Sequence, residues 1–109
     1  MSVYEITELS DFQKVLEMPN LIVLKVYANW CSPCQSYKSQ FENFVANFHE
    51  GEVVFIEADV AKNFVKVESL PSTVFIKNKQ IIDKIVGIDM NALRQKTIEY
   101  SWDTSLEHH

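Results

Sequence analysis

Cysteine is scarce in this chain of 109 residues, since Cys31 and Cys34 are the only two. They lie three positions apart, so no other cysteine remains to form a structural disulfide. This usage is typical of proteins that work in a reducing intracellular compartment. The start of the chain also lacks the basic and then apolar pattern of a signal peptide. We therefore expect a cytoplasmic protein.

Long apolar runs and basic clusters are also missing. No apolar stretch approaches the roughly 20 residues needed to cross a bilayer, and the longest candidate, residues 21–26, is interrupted by Lys25. Ten Lys and Arg residues stand against fifteen Asp and Glu residues, for a formal net charge of −5. No cluster of basic residues could follow a phosphate backbone. These absences argue against a membrane protein and against a nucleic-acid-binding protein.

The length and composition indicate one domain. With 47% hydrophobic and 23% charged residues, the chain has an ordinary globular composition and no linker or low-complexity tract. We assign residues 1–105 to this domain. Residues 106–109 read Leu-Glu-His-His, which is typical of a remnant of an expression tag. His49 is then the only histidine outside the tag remnant, which weakens the interpretation of this protein as a metal-binding protein or a Cys–His protease.

Apolar periodicity predicts strands alternating with helices. Residues 21–28 and 53–58 are nearly continuous apolar runs, as expected of strands covered on both faces. Residues 10–13 fit a capping box that opens a helix ended by Pro19. Helical spacing begins again at Pro33 and continues until Gly51, a candidate stop signal.

The second half of the chain predicts a hairpin and a closing helix. Asn78 and Lys79 separate two strand-like runs, residues 73–77 and 80–86, in the manner of a type I′ turn. Asp89 follows as a candidate cap for the last helix. The element order βαβαβαββα predicts an α/β fold, with a mixed central β-sheet flanked by helices on both faces.

The two cysteines stand where the first long strand gives way to a helix, in the segment Trp30-Cys31-Ser32-Pro33-Cys34. Proline is well suited to the first turn of a helix, which places Cys31 at the helix N-terminus. Unpaired backbone N–H groups and the helix dipole favour a thiolate there, and the thiolate is the nucleophile of disulfide exchange. Cys34 lies on the same helical face, within disulfide reach.

This segment, followed in order by Leu70-Pro71-Ser72 and Val86-Gly87, resembles the thioredoxin family over nearly the whole native length. The resemblance implies the thioredoxin fold and a protein-disulfide oxidoreductase, with Cys31 as nucleophile and Cys34 as resolving cysteine. It also implies a cis peptide bond before Pro71. No cofactor is expected beyond the redox-active disulfide.

The resemblance further implies a flat docking surface for substrates around the nucleophile. Expected partners are proteins that contain disulfides, together with a recycling reductase or a small thiol, and we expect a monomer. In the family, the backbone of the residue before the cis-proline pairs with the substrate polypeptide. The residues of this chain that match the surface are Trp30, Ser32, Pro33, Leu70, Pro71, Gly87 and Ile88.

The chain departs from the family pattern at three places. Lys25 replaces a buried aspartate that is proposed to relay a proton to the second cysteine. Ser32 replaces a glycine, and Ser39 replaces the proline that kinks the long helix. The segment 59–71 is also short. We expect a straighter active-site helix and a stunted third helix.

Lys25 is the departure with the largest chemical consequence. A buried ammonium needs an ion pair, the loss of its proton, or an extended stem whose charged end reaches water. Glu57 is the nearest acidic candidate. A charged Lys25 favours the thiolate forms of the cysteines, so we assign it a role in tuning their acidity.

Two alternatives remain open at this stage. The cysteines could be half of a zinc or iron–sulfur site, but such sites need four ligands, so the site would have to be shared across a dimer. The domain could also be a thioredoxin-fold binding module in a larger assembly, with an incidental or regulatory dithiol. Lys25 keeps this second alternative open.

Overall fold

The computed structural model describes residues 2–102, so the predicted end of the domain at residue 105 and the tag remnant at 106–109 lie outside the described residues. Within that range the chain forms a five-stranded sheet with helices between its strands. The elements are β1 (Tyr4–Glu5), α1 (Leu9–Leu16), β2 (Leu21–Tyr27), α2 (Ser32–Val45), β3 (Val53–Asp59), a 3-10 turn (Val60–Lys62), β4 (Ser72–Lys77), β5 (Gln80–Val86) and α3 (Met90–Ser101).

The sheet is mixed, as predicted, with strand order β1-β3-β2-β4-β5. Strands β1 and β2 pair in parallel with β3, whereas β4 is antiparallel to both β2 and β5. Strand β2 lies at the centre and its first six residues are buried, which explains its nearly continuous apolar sequence. Because α2 follows β2 directly, its N-terminus lies at the carboxyl end of the central strand.

Each face of the sheet carries its own apolar core. On one face, buried residues of the sheet pack against α2 and α3, and on the other they pack against α1 and the segment after β3. The two-sided packing is the reason why the interior strands are apolar on both faces. The helix residues buried in these cores are Phe12, Tyr37, Phe41, Val45 and Leu93.

Two of the predicted helix signals are wrong. Helix α1 begins at Leu9 with Glu8 as its N-cap, and no side chain caps it, so Ser10 lies inside the helix rather than opening a capping box. The backbone N–H groups of Asp11 and Phe12 donate to the Glu8 carbonyl instead. Helix α2 ends at Val45, and Gly51 lies later in the turn that leads into β3.

Two other predictions are confirmed. The stunted third helix is the single 3-10 turn at Val60–Lys62. Asp89 caps α3, since its Oδ1 accepts the backbone N–H of Ala92 at 3.0 Å. Among residues 2–102, no helix is long and apolar enough to cross a membrane.

The hairpin between β4 and β5 turns at Asn78 and Lys79, whose φ angles of 53° and 66° are both in the left-handed region that a type I′ turn requires. Lysine carries a steric cost there that glycine does not. Lys79→Gly should therefore increase the free energy of unfolding by about 0.5–1 kcal/mol, measured by urea denaturation.

Lys79→Ala is the matched control for this prediction. It removes the exposed ion pair between Lys79 and Glu17 but keeps the left-handed strain, and exposed ion pairs contribute little. The alanine variant should stay within about 0.5 kcal/mol of the wild type. Equal stability of the glycine and alanine variants would contradict the argument from turn geometry.

Candidate active site

Cys31 is the N-cap residue of α2, with an extended backbone (φ −93°, ψ 111°). Its Sγ accepts the backbone N–H of Cys34 at 3.2 Å, so a sulfur occupies the place that a serine or aspartate oxygen takes in an ordinary cap. Pro33 lies in the first turn, where its missing N–H costs nothing. The two cysteines are joined by a disulfide, with their Cα atoms 5.3 Å apart.

The disulfide is covered by residues from three other segments. Ala28 is buried with the two cysteines, and Val60 and Leu70 pack against them. Each cysteine is only 5% exposed, so exposure does not distinguish the two sulfurs in the oxidised protein. Their positions in α2 do distinguish them, because Cys31 caps the helix whereas Cys34 lies within its first turn.

The Leu70–Pro71 peptide bond is cis, as the resemblance implies. Pro71 is buried, and its carbonyl accepts the backbone N–H of Gly87 at 2.8 Å. Gly87 adopts φ +78°, a conformation that residues with a Cβ rarely adopt. The loop after β5 is thereby attached to the loop that packs on the disulfide.

The surface around the disulfide is apolar and open. Trp30, next to Cys31, is 80% exposed. A tryptophan exposed to this extent contributes nothing to the core, so it is available to contact a partner. The other residues expected on this surface are the exposed Ser32, Pro33 and Ile88 and the half-buried Leu70 and Gly87.

Lys25 is buried in the sheet beneath this region, with 2% of its surface exposed. Its Nζ lies 2.9 Å from Oε1 of Glu57, directly across the parallel register of β2 and β3. The predicted pairing with Glu57 is therefore confirmed. Three aromatic rings also lie around Nζ at distances typical of cation–π contacts. The distances from Nζ to their centroids are 5.8 Å for Tyr27, 6.0 Å for Tyr37 and 5.3 Å for Phe41.

A cavity of about 190 Å³ lies between this ion pair and the active-site helix. Cys34 lines the cavity, and Cys31 does not. The cavity therefore joins the second cysteine of the pair, and not the first, to a wall of polar side chains. Its lining consists of Glu5, Lys25, Tyr27, Ala28, Asn29, Cys34, Gln35, Lys38 and Glu57.

Glu5 and Tyr27 form the outer part of the cavity wall. The Tyr27 hydroxyl donates a hydrogen bond of 2.5 Å to Oε2 of Glu5. Burial raises the pKa of Glu5; the Tyr27 hydrogen bond opposes this rise, whereas the nearby Glu57 and Asp59 carboxyls reinforce it. The pKa of Tyr27 is raised as well, first by burial and then by its bond to the Glu5 carboxylate.

The sequence reasoning missed Glu5 and Tyr27 as members of the site. Strand β1 is only two residues long, and its pairing with β3 sets Glu5 beside Glu57. A strand of this length carries no readable alternation, so its register depends on tertiary packing. The only signal in the sequence is an acidic residue within the short apolar segment at residues 3–6.

The fold and the site together define the class of the protein: it is an α/β domain of the thioredoxin fold, with a CxxC disulfide at a helix N-terminus beside a cis-proline. The family model described as Thioredoxin matches residues 3–99. The chain belongs to the thioredoxin family. Within residues 2–102, no group of three or more His, Cys, Asp or Glu side chains is arranged to hold a metal ion.

Individual relatives support this placement. The chain is 33% identical over 100 residues to Thioredoxin H4 of Arabidopsis thaliana, covering 87% of this chain and 83% of the relative. The crystal structure of Malassezia sympodialis thioredoxin is 30% identical, with a TM-score of 0.83, and the match covers 93% of this chain and 92% of that one.

A different kind of relative matches over a similar length of this chain. It is the peptide-N(4)-(N-acetyl-beta-glucosaminyl)asparagine amidase of Caenorhabditis elegans, 30% identical over 102 residues. The match covers 88% of this chain but 17% of the amidase, so this chain spans about a sixth of that protein.

Proposed function

We propose that this domain exchanges its Cys31/Cys34 dithiol with disulfides of partner proteins. The observation that carries the proposal is the position of Cys31 as N-cap of α2, where its sulfur faces a backbone N–H, next to an exposed tryptophan. A helix N-terminus stabilises a thiolate, and the thiolate is the form that attacks a disulfide.

Exchange takes two steps with the sulfurs in these positions. The Cys31 thiolate attacks one sulfur of a substrate disulfide, which forms a mixed disulfide and releases the other substrate sulfur as a thiolate. Cys34 then attacks the Cys31 sulfur, which closes the Cys31–Cys34 disulfide and releases the second substrate thiolate. Two electrons pass from the cysteine pair to the substrate, and a reductase or a small thiol must return them.

The exposed surface around Trp30 and Ile88 supports the docking of a polypeptide rather than a small ligand, because it is open and apolar. We assign substrate contact to Trp30, Ser32, Pro33, Leu70, Gly87 and Ile88, and the shaping of the Leu70 backbone to cis-Pro71. The protein's own disulfide supplies the redox chemistry. Because the chain has no cysteine outside this pair, we place its activity in a reducing compartment such as the cytoplasm.

The second candidate is a binding module whose dithiol is incidental or regulatory. Two observations favour it: Lys25 stands where the family carries an acidic residue, and related sequence forms a small part of a much larger amidase. In this case the exposed surface at Trp30 would hold a partner without turnover.

Reduction of insulin disulfides, with dithiothreitol as terminal reductant, separates the two candidates. The wild type should accelerate insulin reduction, and the double variant Cys31→Ser, Cys34→Ser should not. A wild type that gives no acceleration over dithiothreitol alone would reject the oxidoreductase and leave the binding module.

A further inference from the structure

The loop between the 3-10 turn and β4 carries Leu70, which packs against the disulfide. Hydrogen bonds from strand and turn residues hold three carbonyls of this loop. Lys84 Nζ donates to the carbonyl of Lys66 at 3.2 Å, Ser72 Oγ donates to that of Ser69 at 2.7 Å, and the backbone N–H of Gly87 donates to that of Pro71 at 2.8 Å. The loop is therefore held on both sides of Leu70.

The backbone groups of Leu70 itself have no such partner. Within residues 2–102, no hydrogen bond to another protein group involves its N–H or its carbonyl. Leu70 is half-buried beside the cysteines, and a backbone N–H in such a place needs an acceptor. A polypeptide docked on the open surface around Trp30 and Ile88 would supply a carbonyl for it.

Ser72 sets the direction of the Leu70 N–H. The Ser69–Leu70 peptide bond is trans, so the Ser69 carbonyl and the Leu70 N–H belong to one planar unit and point in opposite directions. Ser72 is 1% exposed, so its hydroxyl holds the carbonyl toward the interior. The N–H of the same unit is thereby directed outward. Linked hydrogen bonds polarise one another, so the bond at the carbonyl also makes this N–H a better donor.

We propose that Ser72 is a positioning residue for polypeptide substrates: it orients the Ser69–Leu70 peptide unit so that the Leu70 N–H donates to a backbone carbonyl beside the substrate disulfide. This inference rests on the proposed function. The Ser72 hydroxyl acts only through Leu70 and does not touch the reacting sulfurs. Ser72 therefore favours disulfides carried by a peptide backbone over small disulfides that have no carbonyl.

The test compares two disulfides of these two kinds. The reduced protein is mixed with insulin or with bis(hydroxyethyl) disulfide, which has no carbonyl, and its oxidation is followed by acid quenching and alkylation of the remaining thiols. In Ser72→Ala, the second-order rate constant with insulin should fall by about three- to tenfold, the effect of losing one well-oriented hydrogen bond. The rate constant with bis(hydroxyethyl) disulfide should not change.

Two variants separate orientation of the peptide unit from structural damage. Ser101→Ala removes a bond of the same kind, from a serine hydroxyl to the carbonyl three residues earlier, at 3.0 Å in α3. It should leave both rate constants unchanged. Ser72→Thr keeps the hydroxyl and should recover most of the rate with insulin.

Hydrogen exchange of the Leu70 amide gives a direct measurement. In Cys34→Ser, a cysteine-containing peptide is coupled to Cys31 as a stable mixed disulfide. The Leu70 amide should then exchange more slowly than in the uncoupled variant, because it donates to the peptide. Coupling of the same peptide to Cys34→Ser, Ser72→Ala should give clearly less protection of this amide.

The outcomes distinguish this inference from the proposed function. An unchanged rate constant with insulin in Ser72→Ala would overturn the role of Ser72. An equal loss with bis(hydroxyethyl) disulfide would overturn it too, since that result indicates general damage to the site, and so would equal exchange of the Leu70 amide with and without the coupled peptide. A wild type that is oxidised by neither disulfide would instead reject the proposed function.

Discussion

Cys34→Ser should accumulate as a covalent mixed disulfide with its protein substrates, whereas Cys31→Ser should not. Cys31 Sγ already faces the backbone N–H of residue 34 at the start of α2, so it retains its stabilised thiolate when Cys34 is replaced. Without Cys34, no internal thiol can attack the mixed disulfide, and release then depends on an external thiol.

Non-reducing electrophoresis after acid quenching measures this difference. The Cys34→Ser variant should appear as an adduct that dithiothreitol dissolves, and steady-state turnover should fall by more than a hundredfold in both single variants. The double variant Cys31→Ser, Cys34→Ser is the control for non-covalent association. Selective alkylation of Cys34 before Cys31 in the reduced wild type at neutral pH would reverse the assignment of nucleophile and resolving cysteine.

Lys25→Met and Lys25→Asp should make the protein more reducing, and the aspartate variant should show the larger change. Lys25 is buried, paired with Glu57 and faced by three aromatic rings, so its charge is held beside the cavity that Cys34 lines. A positive charge there stabilises a thiolate and therefore the reduced state. Its removal favours the disulfide.

Coulomb's law gives the size of this effect. For an ammonium and a thiolate placed about 6 to 7 Å apart, an effective dielectric constant near 20 gives an attraction of about 2.5 kcal/mol before screening. For a two-electron couple, 1.4 kcal/mol corresponds to about 30 mV, so Lys25→Met should lower the reduction potential by tens of millivolts. Lys25→Asp also adds a negative charge and should lower it further.

Equilibration with glutathione redox buffers measures the three potentials, and Lys14→Met serves as the control for an exposed lysine of α1. Equal potentials in the wild type and both Lys25 variants would show that Lys25 has no part in the chemistry.

The ion pair also affects the free energy of unfolding. Removal of Lys25 alone leaves the half-buried Glu57 without its partner, so Lys25→Met should be less stable than Lys25→Met, Glu57→Gln.

The motif and the order of elements were readable from the sequence because they depend on local rules. Pro33 fixes the start of α2, Asp89 caps α3, and Asn78 with Lys79 selects the I′ turn. Continuous apolar runs identified β2 and β3 because strands buried on both faces have few polar positions. The local signals failed at Ser10 and Gly51, because α1 begins at Leu9 without a side-chain cap and α2 ends at Val45, well before the glycine.

Only the tertiary structure decided the chemistry around Cys34. The sequence offers Glu57 as a candidate partner for Lys25, but the ion pair itself needs the parallel register that sets the two residues opposite each other. The cavity, and the arrival of Glu5 and Tyr27 at its outer wall, need strand β1 to pair with β3. Register between strands distant in sequence is fixed by the packing of the whole sheet, so no local pattern places Glu5 and Tyr27 at this cavity.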